Sequence, residues 1–140
     1  MHKNNVVFIL AGAFIILISG CAGSDYYQGK KNLDLGNYGK AIEYFNQEIQ
    51  LQPNNFKAHR DLGIALYKKN DLSNSLVSLQ KAFSIKKNDA FTIFYLGLIN
   101  EAMKDYDQAL NYYKEYINLG LFDEGIKDVI DGRIQWIANK

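Results

Sequence analysis

Residues 56–89 read FKAHRDLGIALYKKNDLSNSLVSLQKAFSIKKND. Two runs with helical spacing flank a break at Lys69-Asn70-Asp71-Leu72. Leu62 and Gly63 lie in the first run; Leu72, Ser75, Leu79, Ala82 and Phe83 lie in the second. The same pattern recurs on both sides at a period of 34 residues. Gly63 is matched by Gly29 and Gly97, Leu72 by Tyr38 and Tyr106, and Ser75 by Ala41 and Ala109. Leu79 is matched by Phe45 and Tyr113, and Ile85 by Leu51 and Leu119. The break also recurs, at Leu35-Gly36-Asn37-Tyr38 and at Lys104-Asp105-Tyr106. So many positions in phase argue against chance. Glycine inside a helix costs roughly 1 kcal/mol relative to alanine. Three glycines in phase make sense if each lets a second helix approach closely.

Working outward, three units cover 22–55, 56–89 and 90–123, each reading as two antiparallel helices and a tight turn. A 34-residue period with small, aromatic and large apolar residues in this order resembles the tetratricopeptide repeat. The resemblance implies an all-α solenoid of three helix-turn-helix repeats over 25–122. In the first unit, Asp25, Gln28 and Asn32 stand where the family has apolar residues. No repeat precedes that helix, so a polar outer face is expected. Residues 123–140 read as a capping helix. Asp123 is its N-cap; Ile126, Val129, Ile130, Ile134 and Ile137 form one stripe, with Trp136 at the edge.

The N-terminus has a different character. Val6 to Ile18 is a continuous apolar run after a weakly basic start. It is shorter than the ~20 residues that a helix needs to span a bilayer, and it has the length of a signal-peptide core. Ile18-Ser19-Gly20-Cys21 then resembles a bacterial lipobox. That resemblance implies cleavage of 1–20 and lipidation of Cys21 by diacylglycerol and a further acyl chain such as palmitate. Cys21 is the single cysteine, so no intramolecular disulfide exists, and lipidation accounts for it. Ala22 in the next position resembles the outer-membrane class of lipoproteins. The expectation is an outer-membrane anchor facing the periplasm, with residues 21–24 as a short tether. Extended, the three residues after Cys21 reach only about 10 Å.

Several function classes fall away. Without Lys3, residues 21–140 hold 15 Lys and Arg against 15 Asp and Glu. Such balance leaves no concentrated basic face for nucleic acid. The Lys30-Lys31, Lys68-Lys69 and Lys86-Lys87 pairs read as solvated turns and helix ends; Lys30 and Lys31, nearest the anchor, are also candidates for lipid headgroups. No HExxH, Walker loop or nucleophile elbow occurs. His/Cys/carboxylate spacing suits no metal, His59 reads as packing, and no cofactor or enzymatic activity is expected.

The remaining candidate is the groove. In the family, the first helix of each pair lines the concave wall. Carried onto this chain, that implies Tyr26, Lys30, Leu33 and Asp34; Lys57, Arg60, Ile64, Tyr67 and Lys68; and Phe91, Phe94, Leu98 and Glu101. The wall is basic in the middle and apolar toward the C-terminus. Phe94 and Leu98 stand where carboxylate-clamp members place cations, so no such clamp is expected. An apolar groove with flanking cations suits an amphipathic helix or an extended apolar peptide. Phe91 and Phe94 have a second reading as packing residues. The resemblance extends to small outer-membrane adaptors, including pilotins that assist type IV pilus secretins, and regulators of cell-wall enzymes. The alternative is a self-associating structural component with no separate ligand.

Overall fold

The computed structural model describes residues 24–121 and 124–140. The segment 1–20, Cys21 and Asp123 lie outside the described residues. Within them are seven helices: α1 (Ser24–Asp34), α2 (Tyr38–Leu51), α3 (Phe56–Lys68), α4 (Leu72–Ile85), α5 (Ala90–Ala102), α6 (Tyr106–Leu119) and α7 (Glu124–Ala138). Successive pairs α1/α2, α3/α4 and α5/α6 form hairpins that stack into the expected solenoid, and α7 packs on α6. Ser24, read as tether, already belongs to α1.

The turns explain themselves chemically. Gly36, Asn70 and Lys104 occupy equivalent places and all take left-handed backbone, with φ of 76°, 64° and 65°. That conformation lets the next N–H bond back five residues: Asn37 to Asn32 O at 2.8 Å, Asp71 to Leu66 O at 2.9 Å, Asp105 to Asn100 O at 2.8 Å. The arrangement closes the ends of α1, α3 and α5 by satisfying carbonyls that the helix leaves open. Asp71 and Asp105 then cap the following helices through Asn74 N at 3.3 Å and Gln108 N at 3.2 Å.

Inside each hairpin, a bare glycine receives one large side chain. A Cβ on Gly29 would lie 2.6 Å from Phe45, on Gly63 2.5 Å from Leu79, and on Gly97 2.5 Å from Tyr113. Phe45, Leu79 and Tyr113 are fully buried. The glycines therefore serve close helix contact. Ala41 and Ala109 fill the small position by size alone, whereas Ser75 also donates to Gly63 O at 2.6 Å.

Two sequence expectations change. On α1 the solvent-facing residues are Ser24, Tyr27, Lys31 and Asp34, while Asp25, Gln28 and Asn32 are half-buried. Asn32 lies toward the turn and donates to Gln28 O at 2.8 Å. On α7 only Ile130 and Ile137 are buried; Val129 is 54% and Ile126 40% exposed. Ile130 and Ile137 are seven residues apart and share one narrow face, while Val129 sits about 100° away from Ile130 on a 3.6-residue turn. Trp136 is half exposed and meets Tyr106 edge-on at 5.9 Å.

Candidate functional site: the concave groove

α1, α3 and α5 line one wall, and a cavity of about 380 Å³ opens on it between Lys30, Leu33, Asp34, Tyr38, Arg60, Asp61, Ile64, Lys68, Phe91 and Tyr95. Phe91 is 64% exposed although it belongs to a packed helix. An aromatic left in water beside Leu33, Ile64 and Tyr38 forms an apolar floor open to a ligand.

Beneath that floor runs a polar chain linking the repeats. Tyr26 donates to Asp61 Oδ2 at 2.8 Å, and Arg60 Nε donates to Asp61 Oδ1 at 2.7 Å. Arg60 Nη1 reaches Asp89 Oδ1 at 3.4 Å, and Asp89 Oδ2 accepts from Thr92 N at 3.0 Å and Thr92 Oγ1 at 2.8 Å. Asp61 is only 2% exposed, and Asp89 is also buried. The Arg60 guanidinium also lies 5.6 Å from the Phe91 ring centroid, holding that ring at the groove.

This chain corrects the expected basic middle of the wall. Arg60 lines the groove, but its charge is committed to Asp61 and Asp89. Lys30 is paired with Asp34 one helical turn away. Lys68 lines the cavity and is exposed at its rim. Lys57 is exposed and does not line the cavity.

Other expected wall residues are engaged in packing. Tyr26 meets the Phe45 ring at 6.0 Å, and Tyr67 meets Tyr95 edge-on at 5.7 Å. Phe94 lies 5.7 Å from both Tyr95 and Tyr116, and with Leu98 it packs against the C-terminal core. The packing reading holds for Phe94; Phe91 stays open. Glu101 is removed from the groove: it accepts from Tyr113 Oη at 2.6 Å and from Arg133 Nη1 at 2.9 Å, tying α7 to the third hairpin. His59 sits at the rim, its Nε2 2.9 Å from Pro53 O.

Tyr38, Asp61 and Tyr95 were not expected in the site. Tyr38 repeats in phase with Leu72 and Tyr106, which marked it as a turn residue and hid its second exposure. Asp61 gave no signal beyond following Arg60. Among the described residues no His/Cys/carboxylate group suits a metal, and no helix is long and apolar enough to cross a membrane.

Burial first, and then the neighbouring carboxylate, pushes the Tyr26 phenol well above the ordinary tyrosine range; Tyr113 is raised in the same way, with Glu101 as its partner. The fold therefore favours the neutral phenols. Their contribution is fully present below the unfolded value of about 10 and is lost as pH rises beyond it. Thermal melts from pH 8 to 11 should show stability falling above pH 10. Tyr26→Phe should reduce that fall while costing about 1 kcal/mol at neutral pH for the lost bond.

Two segments match tetratricopeptide family models: 29–70, described as TPR repeat, and 94–119, described as tetratricopeptide repeat. A TPR repeat-containing protein of Borreliella burgdorferi is 44% identical over 39 residues. That match spans 28% of this chain and 17% of the relative. Among solved structures, the TPR2B domain of yeast Sti1, described as a complex with pHsp70, superposes with a TM-score of 0.76. It is 16% identical over 84% of this chain and 96% of that one. The first TPR domain of RPAP3 bound to the HSP90 peptide SRMEEVD gives the same score at 14% identity, covering 84% and 90%. MamA is similar at 0.69 and 24% identity over 71% of this chain and 58% of MamA. At these identities the structural likeness shows the fold, a tetratricopeptide solenoid.

Proposed function

We propose that this tetratricopeptide solenoid is a non-enzymatic adaptor, anchored through lipid on Cys21 to the periplasmic face of a bacterial outer membrane. Its groove seats an apolar peptide or one face of an amphipathic helix. The partner class is a secretin of a type IV pilus or a cell-wall enzyme. The observation that carries the reading is Phe91, 64% exposed on the concave wall and braced by Arg60. Aromatic side chains in such positions anchor protein contacts at low entropic cost. Of the domains with the same fold, that of RPAP3 is described with an HSP90 peptide bound and that of Sti1 as a pHsp70 complex. The buried pairing of Arg60 favours an apolar ligand over a strongly acidic one, with Lys68 supplying one peripheral contact.

A photoreactive residue at Tyr38, on the cavity wall, tests this in native membranes. It should crosslink a secretin or cell-wall enzyme. Phe91→Ala should weaken that crosslink by on the order of tenfold or more, the loss of about one strong anchor. Its melting temperature should hold, since the side chain is mostly in water. A crosslink unaffected by Phe91→Ala would overturn the groove assignment. Crosslinks only between copies of the chain would establish self-association instead.

A further inference from the structure

The two long edges of the solenoid differ in what they join. Because each repeat is an antiparallel hairpin, α1, α3 and α5 begin, and α2, α4 and α6 end, at one edge. The turns at Gly36, Asn70 and Lys104 form the other. The first edge carries exposed Tyr27, Leu51 and Leu121. It also carries exposed Lys57, Lys86 and Lys87. The Lys86 and Lys87 ammoniums lie 4.8 Å and 4.5 Å from the Phe56 and Phe83 ring centroids, which holds both cations at the rim. Two nearby acids are turned inward: Glu48 is buried and accepts from Gln52 and Asn55, and Asp89 is buried against Arg60 and Thr92. Asp25 and Glu124 remain near the surface. The turn edge also has lysines, Lys68, Lys69 and Lys104, but Asp34, Asp71, Asp105 and Asp107 lie among them.

The chain enters at the first edge. α1 starts at Ser24, and five residues, 19–23, separate it from the apolar run Val6–Ile18. Five residues reach at most about 18 Å. The turn edge stands about 20 Å further off, across a helix rising ~1.5 Å per residue. Any attachment of 6–18 or Cys21 to a bilayer therefore keeps the first edge near it.

We infer that this edge docks on an anionic bilayer surface, with Leu51 and Leu121 entering the interface and Lys57, Lys86 and Lys87 meeting headgroup phosphates. The inference rests on the membrane attachment proposed above and gives it an orientation. Basic side chains close to an anionic leaflet are attracted over about one Debye length, and apolar and aromatic side chains settle at its interface. Upright α1, α3 and α5 then make a wall along which a partner segment runs parallel to the membrane.

The test uses the full chain extracted from membranes and placed in phosphatidylcholine vesicles containing phosphatidylglycerol and brominated acyl chains. In a Trp136→Phe background, a single tryptophan is introduced by Leu51→Trp, Leu121→Trp, Leu35→Trp or Lys31→Trp, with circular dichroism checking each fold. Flotation isolates attached protein. Leu51→Trp and Leu121→Trp should be blue-shifted and quenched, and Leu35→Trp and Lys31→Trp should not. Reversal by Lys57→Glu, Lys86→Glu and Lys87→Glu together should remove the Leu121→Trp quenching. The matched Lys68→Glu, Lys69→Glu and Lys104→Glu set should leave it. Quenching of Lys31→Trp without Leu121→Trp would mean that the solenoid stands on α1 and would overturn the inference. Floated protein with no quenching would overturn it while leaving the attachment intact. Protein that fails to float would remove both.

Discussion

Leu79→Ala lowers unfolding stability by about 3 kcal/mol in urea titrations followed by circular dichroism, and Gly63→Ala restores part of that loss. Removing a buried leucine costs its transfer energy and leaves a cavity, about 2–5 kcal/mol in total. Gly63→Ala alone should also destabilise. Its new methyl would meet Leu79 Cγ at 2.5 Å, and overpacking of that kind costs about 1–3 kcal/mol. That exceeds or cancels the ~1 kcal/mol gained from better helix propensity. Once Leu79 is alanine, the obstacle is gone, the methyl fills part of the cavity and the propensity gain remains. The sign of the Gly63→Ala effect should reverse between the two backgrounds. Additive behaviour would show that close helix contact is not what keeps glycine at that position.

The second large effect is expected at Asp61. Asp61→Ala removes a carboxylate that is 2% exposed and receives Arg60 Nε at 2.7 Å and Tyr26 Oη at 2.8 Å. Arg60 keeps only its longer contact to Asp89, and the Tyr26 hydroxyl loses its acceptor. Breaking one partner of a buried pair costs about 3–5 kcal/mol, because the surviving charge stays desolvated. Denaturant midpoints should show a loss near the lower end of that range, since Arg60 retains one partner. The same variant should loosen Phe91, which the guanidinium braces, and so weaken groove binding beyond what the stability loss explains. A loss below about 1 kcal/mol would place the pair among ordinary surface ion pairs.

The scaffold was legible in the sequence because its determinants are local and repeated. Gly29, Gly63 and Gly97 stand sixteen residues before Phe45, Leu79 and Tyr113, a separation set by one hairpin. The groove was legible as a face but not as chemistry. Arg60 meets Asp89 at a separation of 29 residues and Tyr26 meets Asp61 at 35. Those meetings depend on how far successive hairpins slide past each other, which no periodic pattern specifies. Phe94 and Leu98 occupy wall positions of the repeat, yet the third hairpin packs them into the C-terminal core. Ile126 and Val129 matched an apolar stripe, but α7 packs on α6 and reaches α5 through Arg133, burying only the narrow face that holds Ile130 and Ile137. The period transmits what each unit does to itself; what neighbours do to each other depends on side chains that break the period.

The glycine seats carry a mechanical consequence. Each large residue is seated within its own hairpin, whereas successive hairpins are coupled by sparser helix contacts and by the Tyr26–Asp61–Arg60–Asp89 chain. A protein fixed at one end and pulled by a partner experiences tension along its length. This one should stretch as a jointed ruler: the hairpins stay rigid, and compliance collects at the joints between them. The joint between the first and second hairpins and the joint between the second and third both draw on Arg60 and Asp61. One side-chain cluster therefore sets the stiffness of the array, and with it how far a bound partner can be displaced before the solenoid gives way.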